Sequence, residues 1–274
     1  MKKYFDKLLY QKAYSRAFFG NLGLAFKELS VVFLQFFYWK NPLSILRVIK
    51  YAIYSLGRMI MGRSVRLSYA YTGEDRLIES LLNKSIRNTG FYVDVGCNHP
   101  IFISNTFTLY RKGWKGICID GNEKLIRKYK YLRPRDRAVH AVVSDKQDEL
   151  AFVEYTNNVL SSVEPALEEQ YLALGQQVVK RINIKPQSLT SILNKHNTPK
   201  EFDLLTIDAE EHDLNVLQSL DFNKYQPELI VAEIDDLNLS APNEHPVYKL
   251  LTSQNYKLVG FILKNAYFKK IPSF

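Results

Sequence analysis

From Phe91 onward the chain alternates between two hydrophobic rhythms, short apolar runs and stretches of helical periodicity. Phe91–Val95, Gly116–Asp120, Ala138–Ser144, Phe202–Asp208 and Glu228–Ile234 are short and rich in Val, Ile and Phe, and predict strands. Glu74–Leu82, Asn122–Tyr131, Leu189–His196, His212–Leu220 and a segment after Pro246 carry apolar residues three and four apart and predict helices. Repeated strand-then-helix units imply a parallel sheet covered by helices on both faces. Tyr256–Leu263 and Ala266–Lys270 predict a closing hairpin across Lys264-Asn265, which adds an antiparallel edge. Leu150–Tyr155 and Val178–Ile184, around a helix near Glu164–Leu172, form a predicted insertion near residues 149–187.

The first seventy residues follow a different pattern. Ile45, Ile49, Ala52, Ile53, Leu56 and Ile60 recur at helical spacing, while Arg47, Lys50, Tyr54 and Arg58 follow another face. Pro42 stands where such a helix begins, and Phe33, Phe36, Phe37, Tyr38 and Trp39 lie just upstream. Twelve Lys/Arg against Asp6 and Glu28 give this quarter a net charge of +10, whereas the remaining residues sum to −1. A basic amphipathic extension (1–70) on a nearly neutral domain (71–274) points to an anionic partner. Two readings stay open: a helix lying in a membrane interface, or a helical subdomain packed on the main domain or on a second copy. The apolar stretches Leu29–Trp39 and Leu43–Gly62 are short or broken by charge, so neither meets the ~20 apolar residues of a spanning helix. Met1–Gln11 lacks the pattern of a secretory signal. With 46% apolar residues the chain has enough material for a core, which excludes a disordered class. Cys97 and Cys118 have no metal-type spacing and read as free thiols of a reducing cytoplasm.

Ligands of an open α/β sheet bind beyond the carboxyl ends of its strands, so polar residues there are the candidates. The first strand ends Asp94-Val95-Gly96-Cys97-Asn98-His99, with Gly96 suited to a tight turn against a ligand. The second ends in Asp120, where an acid can accept hydrogen bonds from both ribose hydroxyls of a nucleoside. The third ends in Ser144 and Asp145, within reach of an adenine edge. Each signal alone is as consistent with a helix cap; three in register at successive strand ends point to a nucleoside. The glycines of a dinucleotide pyrophosphate loop are missing, which disfavours the alternative of a nucleotide-dependent oxidoreductase.

Several segments resemble the FkbM family of methyltransferases: Gly73-Glu74-Asp75, Phe91 to Pro100, Ser104-Asn105-Thr106, Lys112 to Asp120, Arg133-Pro134-Arg135-Asp136, and Asp203 to Glu210 with Asp213. The resemblance runs from about Gly73 to Glu233. It implies a Rossmann-like class I methyltransferase sheet, S-adenosylmethionine as cofactor, and methylation of a hydroxyl, often on a sugar or polyketide. Glu74, Asp94, Gly96, Asn98, Asn105, Asp120, Ser144 and Asp145 are then the expected cofactor residues. One position departs from the family: where Asp-x-Glu is usually followed by glycine, this chain has Glu211. A backbone conformation that favours glycine is expected to be strained there.

Methylating a hydroxyl requires removal of its proton. Asp208 and Glu210 end the fourth strand and are the candidate general bases, with His99 or His212 as helpers. Alternatively Asp208 and Glu233 hold a divalent cation such as Mg²⁺. His212 is equally readable as a solvated loop residue, and Asp213 as a helix-terminus charge. The expectation is an O-methyltransferase of a cell-envelope glycan or glycolipid precursor, peripheral on the cytoplasmic face of a membrane. Nucleic acid is disfavoured, because the cationic segment is aliphatic rather than Arg-rich with a known motif. A catalytically inactive scaffold is the non-enzymatic alternative, set against the retained Asp94, Asp120 and Asp208.

Overall fold

Seven strands, six running in one direction and one against them, make a sheet in the order β3 (Arg137–His140), β2 (Lys115–Asp120), β1 (Phe91–Val95), β6 (Glu201–Ile207), β7 (Gln226–Glu233), β9 (Asn265–Lys270) and β8 (Tyr256–Ile262), with β9 the reversed one. The computed structural model describes residues 68–82 and 89–272, together with Lys50 and Ile53. The chain divides into Met1–Leu67 and Ser68–Phe274. The basic helix read over Ile45–Ile60 and the aromatic run before it lie outside the described residues, Lys50 and Ile53 excepted.

Successive side chains of a strand point to opposite faces, and the core divides accordingly. Val93, Val95, Ile117, Ile119, Leu205 and Ile207 pack with Leu189, Ile192 and Leu193 of α5 (Leu189–Lys195) and Val216 and Leu217 of α6 (Asp213–Gln218). Tyr92, Cys118, Leu204, Leu229 and Val231 pack with Ile78 of α1 (Glu74–Leu81), Leu109 of α2 (Phe107–Arg111) and Ile126 and Tyr129 of α3 (Glu123–Leu132). Burial on both faces explains why these strands read as continuous apolar runs.

Helix starts follow capping chemistry. The Asn122 side chain accepts from Lys124 N and Leu125 N at the head of α3, and Ser188 Oγ accepts from Ser191 N at the head of α5. Helix α7 (Pro246–Ser253) begins with proline as the sequence suggests. Two differences from the sequence reading have physical causes. The third strand stops at His140, because after it only Val143 makes a bridge, to Gln187. Helix α2 is a five-residue turn of helix, too short for periodicity to register.

The insertion forms its own antiparallel pair, β4 (Leu150–Tyr155) with β5 (Val178–Ile184), and α4 (Ala166–Ala173). Val153, Tyr155, Leu167 and Tyr171 make a small private core. No helix among the described residues is long and apolar enough to cross a membrane.

Candidate active site

The strand order reverses between β1 and β6, and the loops leaving their carboxyl ends meet there. Gly96 is the hinge of that meeting. Its φ is +76°, and a Cβ added there would stand 1.7 Å from the carbonyl oxygen of Asp208. Gly96 N donates to Ile119 O at 2.9 Å and Asp208 N to Val95 O at 3.0 Å, so both loops are tied across the strand ends. Asp120, at the end of β2, accepts from Asn98 N at 2.8 Å and Asn122 N at 2.7 Å, one on each carboxylate oxygen. Each oxygen keeps a second lone-pair site, so the group can still accept from a ligand hydroxyl.

Gly96, Asn98, Asp120, Asp208 and Glu210 line one cleft that opens to solvent. Ile119, Ala141, Val142, Val143 and Phe152 give it an apolar wall beside the polar strand ends. An apolar slot next to an acid with spare acceptor capacity suits the base and ribose of a nucleoside, so these residues fit S-adenosylmethionine. The insertion contributes a whole side of the cleft through Phe152, Asn158, Val159, Ser161, Ser162 and Val163. Asn158 Nδ2 donates to Asn98 Oδ1 at 3.0 Å, and the buried Ser161 Oγ has no partner.

Beside this cleft, one oxygen each of Asp208, Glu210 and Glu233 fall within 4.8 Å of one another. Burial, followed by the charges of Glu233, Glu210 and Asp213, pushes the Asp208 carboxyl well above the ordinary carboxylate range. Burial raises Glu210 to about 7, against the stabilising hydrogen bond that Tyr171 Oη donates at 2.7 Å. Lys264, on the β8–β9 turn, lies 2.7 Å from Asp235 and 3.5 Å from Glu233. Glu210 and Glu211 both have left-handed backbone, φ +50° and +65°. The strain expected at Glu211 is therefore present, and it extends over two consecutive residues.

Of the other predicted residues His212 also lines the cleft, whereas Asp94, Asn105, Glu74, Ser144 and Asp145 are not among its lining residues. Asp94 is buried, accepts from Thr106 Oγ1 at 2.5 Å, and is raised to about 6, chiefly by burial. Beside it Arg133 is fully enclosed, paired with Asp136 at 2.6 Å and donating to Tyr92 and Thr106. Asn105 Nδ2 donates to Thr206 Oγ1, and Glu74 accepts from Thr72 N and Asn265 Nδ2. Asn265 is the residue opposite Glu233 across the strand pair. Asp145 accepts from Asn215 Nδ2, and the buried Ser144 meets His212 Nε2 at 3.0 Å.

The histidines are placed differently from the sequence reading. His212 is buried, not solvated, and its ring nitrogens contact Glu164 (Nδ1) and Ser144 (Nε2). His99 Nδ1 accepts from Ile101 N and Phe102 N, and burial lowers the ring to about 4. It closes a turn as a neutral ring and is not among the residues lining the cleft. Asp213 begins α6, but its carboxylate also receives Ala209 N and Glu233 N and so joins the ends of β6 and β7. Sequence reasoning missed Asn158, Ser161 and Tyr171, all from the insertion.

Residues 94–258 match the methyltransferase FkbM domain. No curated protein matches the chain in sequence. Among solved structures, a TehB-like S-adenosylmethionine-dependent methyltransferase from Corynebacterium glutamicum is 15% identical, with 81% of this chain and 97% of that chain covered and a TM-score of 0.38. A precorrin-6y C5,15-methyltransferase from Geobacter metallireducens is 10% identical, with coverage of 75% and 92% and a TM-score of 0.34. A Haemonchus contortus phosphoethanolamine N-methyltransferase, in complex with phosphoethanolamine and S-adenosylhomocysteine, is 12% identical, with coverage of 81% and 45% and a TM-score of 0.35.

Proposed function

The chain belongs to the FkbM family of S-adenosylmethionine-dependent methyltransferases, and we propose that it methylates a hydroxyl group on a sugar of a cell-envelope glycan or glycolipid precursor. The observation that carries the reading is the convergence of Asp208, Glu210 and Glu233, of which Asp208 and Glu210 line the cleft. When bound, the cofactor supplies an electrophilic methyl on a sulfonium. Asp120, Asn98 and the Ile119–Val142–Phe152 wall hold the nucleoside, which fixes the direction from which the methyl is presented. With the cofactor bound, the methyl–sulfur bond would break as the acceptor oxygen forms the new C–O bond, S-adenosylhomocysteine would leave, and Glu210 or Asp208 would receive the hydroxyl proton. Glu74, through Asn265, supports the backbone opposite Glu233.

A second reading is favoured by the same spacing: a divalent cation such as Mg²⁺ held by Asp208, Glu210 and Glu233, which would acidify the hydroxyl directly. The choice of a lipid-carried glycan draws on the family resemblance and on the +10 charge of residues 1–70, which suits the anionic inner face of a membrane. The test is transfer of labelled methyl from S-adenosylmethionine to a cell-envelope glycan fraction by the wild type, D208N and E210Q. Label in the glycan with the wild type, and at least ~10²-fold less with either variant, is the expected result. Loss on chelation with recovery in Mg²⁺ selects the cation reading. Unlabelled glycan with the wild type, or full activity in both variants, overturns the proposal.

A further inference from the structure

The turn that carries Glu210 is held in an unfavourable backbone conformation from outside the main domain's sheet. Two successive non-glycine residues, Glu210 and Glu211, occupy the left-handed region. An L side chain there crowds its own carbonyl, and such a conformation persists only where neighbouring contacts over-determine it. Three contacts to this turn come from the insertion. Ser162 Oγ donates to Glu210 O at 3.2 Å, Tyr171 Oη donates to Glu210 Oε2 at 2.7 Å, and Glu164 meets His212 Nδ1.

The donors are themselves fixed. Tyr171 is 6% exposed, lies edge-on to Tyr155 with ring centroids 5.2 Å apart, and belongs to the insertion's private core. Ser162 is 4% exposed and its main chain is bonded in both directions to Val153 of β4. A rigid donor loses little freedom when it forms its bond, so these contacts hold the turn better than mobile surface groups would.

We propose that the insertion is a brace for this turn, with Tyr171 the positioning residue that fixes the Glu210 carboxylate in the cleft and Ser162 its main-chain anchor. The consequence for turnover rests on the reading of Glu210 as the proton acceptor, whereas the bracing itself does not. Because the brace opposes backbone strain, its importance should shrink when the strain is removed. Glycine at position 211 adopts φ +65° without penalty, which makes E211G the diagnostic background.

The experiment is a double-mutant cycle in the full chain with Y171F, S162A, E211G and Y171F/E211G. Amide hydrogen exchange over residues 208–213 is read first, then turnover on the glycan fraction and S-adenosylhomocysteine affinity by calorimetry. Y171F keeps the ring and removes only the hydroxyl, and S162A provides a second, independent cut. Each is expected to speed exchange in 208–213 by about tenfold while β1 and β6 stay protected. In the E211G background the effect of Y171F should fall below about threefold, since only coupled sites depart from additivity. Y171F should also lower turnover with cofactor affinity nearly kept, and Y171F/E211G should recover part of it. Unchanged exchange in both Y171F and S162A, or the same factor in both backgrounds, overturns the brace. Altered exchange with unaltered turnover leaves the brace standing and removes the assignment of Glu210.

Discussion

Substituting Gly96 by alanine probes the meeting of the β1 and β6 loops more sharply than any other single change. Two costs combine. A non-glycine residue at φ +76° loses about 1–2 kcal/mol to its left-handed backbone. The new Cβ would also stand 1.7 Å from Asp208 O and 2.7 Å from Asp208 C, far inside ordinary van der Waals contact. Those are main-chain atoms, so no side-chain rotation relieves the overlap; the loops must separate. Separation strains the bonds from Gly96 N to Ile119 O and from Asp208 N to Val95 O. Overpacking of this kind adds about 1–3 kcal/mol, giving about 2–5 kcal/mol in total. For a domain of this size that is a fall in melting temperature of roughly 5–20 °C. Any part not lost from stability should appear as weaker cofactor binding, since Asn98 and Asp208 line the cleft on either side of the displaced turn. Thermal unfolding with and without S-adenosylhomocysteine measures both. A G96A protein melting within about 2 °C of wild type, with affinity within about twofold, would refute the close approach of the two loops.

Three further outcomes follow from named groups. Ser161→Ala should weaken S-adenosylhomocysteine binding about fivefold to tenfold, because the buried hydroxyl finds its partner on the ligand; unchanged affinity in a titration means the hydroxyl stays unpaired. In the cation-free enzyme, turnover should rise with pH and pass half-maximum near the Glu210 value of about 7, because only the ionised form accepts a proton. The same group is more readily protonated in the folded chain than in the unfolded one, so its contribution to stability falls as pH rises from about 4.5 to 7. A flat rate profile through neutrality, or an E210Q protein with the wild-type pH dependence of unfolding, contradicts both. Arg133→Met should destabilise the fold by about 3–5 kcal/mol by leaving Asp136 buried and unpaired, read as a lower denaturant midpoint; a midpoint near wild type means the pair is dispensable.

The sheet was legible because its strands are buried on both faces, so Phe91–Val95 and Phe202–Ile207 announce themselves as apolar runs. The cleft was legible as far as strand ends determine it: Gly96, Asn98, Asp120, Asp208 and Glu210 all line it. Position along a strand decides the rest. Asp94 lies one residue further inside than Val95 and points into a buried polar network with Thr106, which a strand-end rule does not resolve. Asn158, Ser161 and Tyr171 reach the site through tertiary packing of the insertion, so neither spacing nor periodicity marks them. The surroundings of the histidines were not legible either, since only the folded chain reveals that His212 is held by Glu164 and Ser144 and that His99 closes a turn. The departure at Glu211 was readable, since glycine's role is a backbone angle and the observed φ of +65° meets it.

Calorimetric titration of S-adenosylhomocysteine into the wild type and D120A tests the central claim most directly, because it needs no acceptor. Asp120 is the strand-end acid whose carboxylate organises Asn98 and Asn122 and faces the cleft. Saturable one-site binding to the wild type, weakened at least about tenfold in D120A, is the predicted result, in line with the loss of charge-assisted bonds to ligand hydroxyls. Absence of binding to folded wild-type protein, or equal affinity in D120A, would contradict the assignment of this cleft to the cofactor.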